Sequence, residues 1–252
     1  MVTFEEYISR IRFANAAGVD AAAEKIISYW QQKNDSCIIH FMYYASLELS
    51  RSDEAYREAL LLTDYILVDG IGMQTYFKWL MNREVANLNG TDISPVFIEK
   101  LLHKNIPVCF WGTTEEQINA CNNVLNDMYD RKVLHYFQNG YTPLDWGNIP
   151  DRSVLFIGMG TPLQENKVKE NIETIRQKKL LVLTVGGYFD FLSGYYIRAP
   201  KIVRSVKMEW AWRTLLNPVR HYKKRLRDTT IAFRPFTDKQ KGIQDLIQIV
   251  EL

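Results

Sequence analysis

Short apolar runs bounded by glycine, asparagine or aspartate alternate along this chain with longer stretches whose apolar residues recur every three or four positions. The runs at 36–41 (SCIIHF), 65–68 (YILV), 107–111 (PVCFW), 153–157 (SVLFI) and 180–185 (LLVLTV) are nearly continuous. That pattern predicts strands covered on both faces rather than strands with one wet face. A weaker run at 133–137 reads as a further strand. Helical spacing predicts helices over 55–62, 93–103, 114–129 and 165–178. Asp92 or Ser94 is the expected N-cap of the second, and Glu115 and Glu116 fall in the first turn of the third, where the helix dipole favours acids. Strand, glycine-bearing turn and helix in repetition predict a Rossmann-like α/β fold, a parallel sheet flanked by helices. Ile243, Leu246, Ile247 and Val250 predict a closing amphipathic helix.

The candidate chemistry sits in the turns that follow the strands, the edge of an open α/β sheet where ligands bind. Asp69-Gly70-Ile71-Gly72 follows one strand directly. It reads either as a tight turn capped by Asp69 or as a carboxylate beside backbone amides open to an anion. Gly158-Met159-Gly160-Thr161-Pro162-Leu163-Gln164-Glu165 follows another strand and opens a helix, a natural phosphate seat. It is neither a Walker loop nor a dinucleotide fingerprint, because no Gly-Lys-Ser/Thr follows and Pro162 and Gln164 break the GxGxxG spacing. Gly186-Gly187-Tyr188-Phe189-Asp190 forms a third such turn. Three glycine turns after three strands are expected to build one crevice.

Composition changes this picture at one end. The net charge of +2 conceals ten Lys/Arg against the single acid Glu209 between Arg198 and Arg227, so the rest of the chain is acidic. These basic residues interleave with Trp210, Trp212 and Tyr222. The reading is a core over 1–197 and a basic helical appendage over 198–252 that faces an anionic lipid surface. A nucleic-acid reading of the same segment rests on charge alone and ranks below it. No apolar run reaches the roughly 20 residues that span a bilayer, and no signal peptide is legible, so the expected location is cytoplasmic and peripheral on the inner face of the membrane. Cys37, Cys109 and Cys121 fit free thiols. His40, His103, His135 and His221 are scattered, each read as a packing or surface residue, and no metal-ligand spacing or Asp-x-Asp pair occurs.

The ordered set of motifs resembles the bacterial WecG/TagA/CpsF glycosyltransferases, glycosyltransferase family 26, from about residue 36 to 227. Its carriers are the Asp69-Gly70-Ile71-Gly72 and Gly90-Thr91-Asp92 motifs, the 158–165 segment, the 186–190 segment, Arg198-Ala199-Pro200, and Glu209-Trp210 with Arg213, Pro218 and Arg220. The resemblance implies an inverting, metal-independent transfer from a UDP-sugar to a polyprenyl-diphosphate-linked saccharide in cell-surface polysaccharide or teichoic acid synthesis, with no cofactor. Asp69 is implied as the general base. Gly70, Gly72, Gly90, Asp92, Gly158, Gly160, Thr161, Pro162, Gln164, Glu165, Gly186, Gly187 and Asp190 are implied around the donor. Arg198, Arg213, Arg220 and Arg225 are implied near the diphosphates.

Three departures stand out. Phe41-Met42-Tyr43 carries an aromatic where the family has Asn after the first strand, Asn87 replaces an Arg, and 229–252 has no counterpart. They leave a second reading, a degenerate, non-catalytic protein that binds a nucleotide-sugar or an assembly partner.

Overall fold

The computed structural model describes residues 2–129, 134–197, 199, 200, 212, 214 and 228–252. Eight strands, β1 (Arg12–Asn15), β2 (Cys37–Met42), β3 (Tyr65–Val68), β4 (Val108–Gly112), β5 (Leu134–Gln138), β6 (Val154–Gly158), β7 (Leu181–Thr184) and β8 (Gln248–Glu251), form one sheet in the order β5-β4-β6-β7-β2-β3-β1-β8. Every pairing is parallel. The predicted α/β architecture is therefore what the chain adopts, and all strand ends that carry glycine turns meet on one edge.

The continuous helices among the described residues are α1 (Phe4–Arg10), α2 (Val19–Lys33), α3 (Tyr44–Ser52), α4 (Glu54–Leu60), α5 (Gly70–Met81), α6 (Gly90–His103), α7 (Glu115–Met128), α8 (Leu163–Glu170), α9 (Ile172–Gln177), α10 (Tyr188–Leu192), α11 (Arg234–Gln240) and α12 (Ile243–Leu246). They cover both faces, which is why β2, β3, β4, β6 and β7 are buried at every position. Successive residues point to opposite sides. Ile39, Phe41, Leu67, Phe110, Phe156 and Leu183 join the core beneath α2 and α6. Met42, Ile66 and Val68 join a core with Tyr56, Tyr76 and Phe77 on the other face, where Ile38, Trp111, Leu155 and Val182 build a third cluster around Val168 and Ile175.

Local chemistry sets the element ends. Thr3, Asp53 and Thr114 cap α1, α4 and α7 by accepting from Glu6, Tyr56 and Gln117 backbone N–H groups. The expected cap of α6 is corrected: Asn89 accepts from the Asp92 N–H at 2.9 Å, so the helix starts earlier and Asp92 lies in its first turn. The helix predicted over 165–178 is two helices that meet at Asn171.

The largest departure lies at the C-terminal end. Residues grouped by sequence with the appendage return to the core over 228–252. Only Ile243–Leu246 of the expected last helix is helical, and Gln248–Glu251 instead pairs with β1 from Arg12↔Gln248 to Asn15↔Glu251. The reason is the period of the side chains: Ile247 and Ile249 pack toward one face and Val250 and Leu252 toward the other, against an edge strand that offers its backbone. Ahead of it, α11 lies on α3 and α5 and places Asp238, 1% exposed, to accept from Tyr76 Oη at 2.7 Å and Arg51 Nη2 at 2.5 Å.

Candidate active site

A cleft opens where the C-terminal ends of β2, β3, β6 and β7 converge. It is lined by Phe41 and Tyr43 after β2, Asp69 after β3, Gly90 and Thr91 of α6, Gly160, Thr161 and Gln164 after β6, and Thr184–Gly187, Asp190, Phe191, Tyr196 and Ile197 around β7 and α10. β7 and β2 are the central neighbours of the sheet, with β6, β4 and β5 beyond one and β3, β1 and β8 beyond the other. A crevice at the carboxyl ends of such strands is the general ligand position in open α/β folds.

Asp69 holds the N-cap position of α5 in extended conformation, and its side chain does not cap the helix. Its backbone N–H is tied to Met42 O at 2.9 Å, which registers the carboxylate against the end of β2. Gly70 has φ +85°, a conformation glycine adopts without strain, and its N–H donates to Asn87 Oδ1 at 2.8 Å. Asn87 thus has a place in building the turn. Gly72 faces away from the cleft: a Cβ there would stand 2.9 Å from Tyr44 Cβ, so this glycine lets α3 and α5 touch.

The 158–165 segment divides in the same way. Gly158 is a packing glycine, because a Cβ would meet the Phe189 ring at 2.6 Å. Gly160, at φ +79°, and Thr161 line the cleft, and the Thr161-Pro162 peptide is cis. Pro162 takes the N-cap position of α8. Gln164 is 1% exposed yet touches the cleft. Its amide donates to Thr184 O at 3.1 Å and to Glu165 Oε1 at 2.7 Å, and its carbonyl accepts from Gly186 N–H at 3.1 Å. One side chain therefore ties the ends of β6 and β7 together.

The structure brings together Asp69, Gly90, Gly160, Thr161, Gln164, Gly186, Gly187 and Asp190 of the residues singled out by sequence. Asp92 and Glu165 lie off the lining, Asp92 accepting locally from Asn89 Nδ2 at 2.7 Å. Gly70 lies at the turn rather than on the lining, and Pro162 beside it. Arg198, Arg213, Arg220 and Arg225 lie outside the described residues. Asp190 Oδ1 is 3.5 Å from Gln117 Nε2, and Asp190 O accepts from the Tyr196 N–H at 2.9 Å, which orders the turn that closes that side.

His40 was not expected here. Its ring is fully buried on β2, with Nδ1 3.0 Å from Glu165 Oε1 and 2.9 Å from Thr184 Oγ1, and Nε2 3.0 Å from Tyr56 Oη. Burial, with the Glu165 charge second, pushes the Tyr56 hydroxyl well above its ordinary pKa, so it stays protonated. Tyr56 Oη and His40 Nε2 share a hydrogen bond, and Nδ1 of the same ring faces Glu165. The available signal was a polar residue inside an otherwise apolar strand run.

Among the described lining residues there are two carboxylates and no Lys or Arg. Positive potential comes instead from the N-termini of α5, α6 and α8, which begin at Gly70, Gly90 and Leu163 beside the cleft. Among the described residues no three His, Cys, Asp or Glu side chains group as a metal site, and no helix is long and apolar enough to cross a membrane.

Comparison with known proteins fits this architecture. Over 172 residues, 66% of the chain and 65% of the relative, the sequence is 27% identical to the N-acetylglucosaminyldiphosphoundecaprenol N-acetyl-β-D-mannosaminyltransferase of Bacillus spizizenii. It is 25% identical over 180 residues to the protein of the same name in Bacillus subtilis, covering 67% of each chain. Against the Staphylococcus aureus protein of that name it is 26% identical over 171 residues, 65% of this chain and 66% of the relative. The matched part thus spans about two thirds of each of these relatives. The glycosyl transferase WecG/TagA/CpsF family matches residues 7–243. With nearly the whole sheet inside that span and the glycine turns gathered at one cleft, this chain belongs to the WecG/TagA/CpsF family of glycosyl transferases.

Proposed function

We propose that the protein is a glycosyltransferase that moves a sugar from a UDP-sugar to a saccharide carried on a polyprenyl diphosphate, with inversion and without a metal. The observation that carries the reading is Asp69, a carboxylate at a strand end, facing a glycine-lined cleft onto which three helix N-termini open, in a chain of this family. The relatives' names supply the acceptor, an N-acetylglucosaminyl diphosphate lipid, and the sugar, N-acetylmannosamine.

In this reading Asp69 takes the proton from the acceptor hydroxyl as its oxygen bonds to C1 of the donor sugar. The C1–O bond to the diphosphate breaks, and UDP leaves with the electron pair. The helix N-termini and the basic residues of 198–227, Arg198, Arg213, Arg220 and Arg225 among them, meet the negative charge that develops. Charge complementarity supports that division of labour, since the described lining supplies acids and amides but no cation.

The test is a screen of UDP-sugars against a short-chain polyprenyl-diphosphate N-acetylglucosamine in the presence of EDTA, reading UDP release and the mass of the lipid product. Asp69→Asn is expected to fold and to lose turnover by about two orders of magnitude or more, the scale of general-base assistance. Near wild-type turnover in that variant removes Asp69 as the base, and a strict need for Mn²⁺ or Mg²⁺ overturns the metal-free reading. The aromatic pair Phe41 and Tyr43 on the cleft wall favours one alternative, a binder without turnover. Tight UDP binding with no transfer to any acceptor would select it.

A further inference from the structure

We infer that Glu165 and His40 are positioning residues: a buried pair beneath the cleft floor that holds Gln164, Thr161 and Gly186 in the geometry the donor meets. The inference rests on the donor-cleft reading above, but its geometry is independent of which sugar is bound. Glu165 is 2% exposed and His40 fully buried, and neither lines the cleft. Nevertheless Glu165 Oε1 accepts from Gln164 Nε2 at 2.7 Å and Thr161 Oγ1 at 3.3 Å, both groups of cleft-lining residues, and stands 3.0 Å from His40 Nδ1.

The pair has a reason to sit where it does. Alternation along β2 sends Phe41 to the face beneath α6 and His40 to the opposite face, between α4 and α8. There His40 also reaches Thr184 Oγ1 on β7, whose main-chain oxygen accepts from Gln164. Tyr56 on α4 closes the chain of contacts from below at 3.0 Å. Three elements, α4, β7 and α8, thus converge on the His40 ring of β2, and α8 brings the Glu165 carboxylate to it.

Stability alone does not account for this arrangement. A buried carboxylate next to a strand core is costly, and Glu165 Oε2 has no hydrogen-bond partner among the described residues. Apolar residues of similar volume commonly replace such pairs with no loss of stability. What an apolar residue cannot do is orient the Gln164 amide. A free Gln164 side chain would release the Gly186 N–H, and with it the turn whose Gly186 and Gly187 line the cleft.

Two variants separate the roles. Glu165→Leu keeps the volume and removes the acceptor, and Glu165→Gln keeps an acceptor oxygen. In the unliganded protein, Glu165→Leu is expected to speed amide exchange at Gly186 and across 160–165 at least tenfold. Exchange in the strands should stay unchanged and the melting temperature should hold or rise. Glu165→Gln should largely restore protection. Calorimetry with UDP as the probe should then show at least tenfold weaker binding for the Leu variant and near wild-type binding for the Gln variant. Unchanged exchange at Gly186, or a loss of protection spread over the whole sheet with a lowered melting temperature, overturns the positioning role. Those exchange outcomes decide the inference even if the wild-type protein fails to bind UDP, a result that would count against the donor reading instead.

Discussion

Gly112 ends β4 at φ +152°, and a Cβ there would stand 2.3 Å from Gly158 O, the carbonyl that accepts from Thr113 N–H. The two strand ends therefore approach as closely as their backbones allow. That closeness carries the 158–161 turn toward the cleft. Gly112→Ala must push β4 and β6 apart and strain its own backbone, so it is expected to cost about 1–3 kcal/mol or more. Urea denaturation would read that cost, and a midpoint within error of wild type would show that the edge yields freely. Asp69, Gln164 and Glu165 illustrate a different point at this scale: neighbours in a motif do different jobs. Gln164 touches the cleft, Glu165 sits beneath it, and Asp69, the base proposed above, lines the cleft from another strand end.

At the scale of elements, α11 is a clamp. Asp238 joins Tyr76 of α5 to Arg51 of α3, and Glu48 receives both Arg51 Nε at 2.8 Å and Arg234 Nε at 3.1 Å. Arg51 also lies 4.0 Å over the Phe4 ring, which brings α1 into the same cluster. A cluster of this kind is destabilising to break, because each remaining partner stays buried. Asp238→Ala is expected to lower stability by roughly 3 kcal/mol, with Tyr76→Phe nearer 1 kcal/mol. Thermal unfolding of the two variants would check the order. Equal, small losses would mean that β8 alone holds the C-terminal segment.

For the whole molecule, the clamp changes how the basic segment is tested. A cut near Lys201 would remove Asp238 and β8 as well as the charged residues, so loss of activity after truncation would say nothing about the membrane. Neutralising Lys207, Lys223 and Lys224 in the full chain, which leaves the arginines proposed at the diphosphates in place, is the cleaner experiment. Each Lys or Arg near an anionic leaflet contributes about 1 kcal/mol. The intact protein is expected to float with phosphatidylserine-containing vesicles at low salt and to be released as salt rises. The triple alanine variant should bind roughly a hundredfold more weakly, three such contributions. Equal flotation of both proteins on neutral and anionic vesicles would sink the electrostatic contact.

The sequence by itself determined the class of fold and the edge where the site lies. Strands buried on both faces are nearly continuous in apolar residues, so 36–41, 65–68, 153–157 and 180–185 were legible as local pattern, as were the glycine turns after the last three. Residues 12–15 were too short and too mixed to read, and 248–251 followed residues with helical spacing. The two became neighbouring strands only because each offers the other its backbone, across a separation of 236 residues between Asn15 and Glu251. The inner structure of the motifs was equally out of reach. Whether a glycine faces the cleft, as at Gly160, or a neighbouring ring, as at Gly158, depends on what packs against it. His40, Glu165, Thr184 and Tyr56 come from four separate stretches of chain, and no periodicity relates them. Tertiary structure alone decided that they meet, because the parallel pairing of β2 with β7 and the packing of α4 against α8 bring one imidazole and one carboxylate to the same buried point.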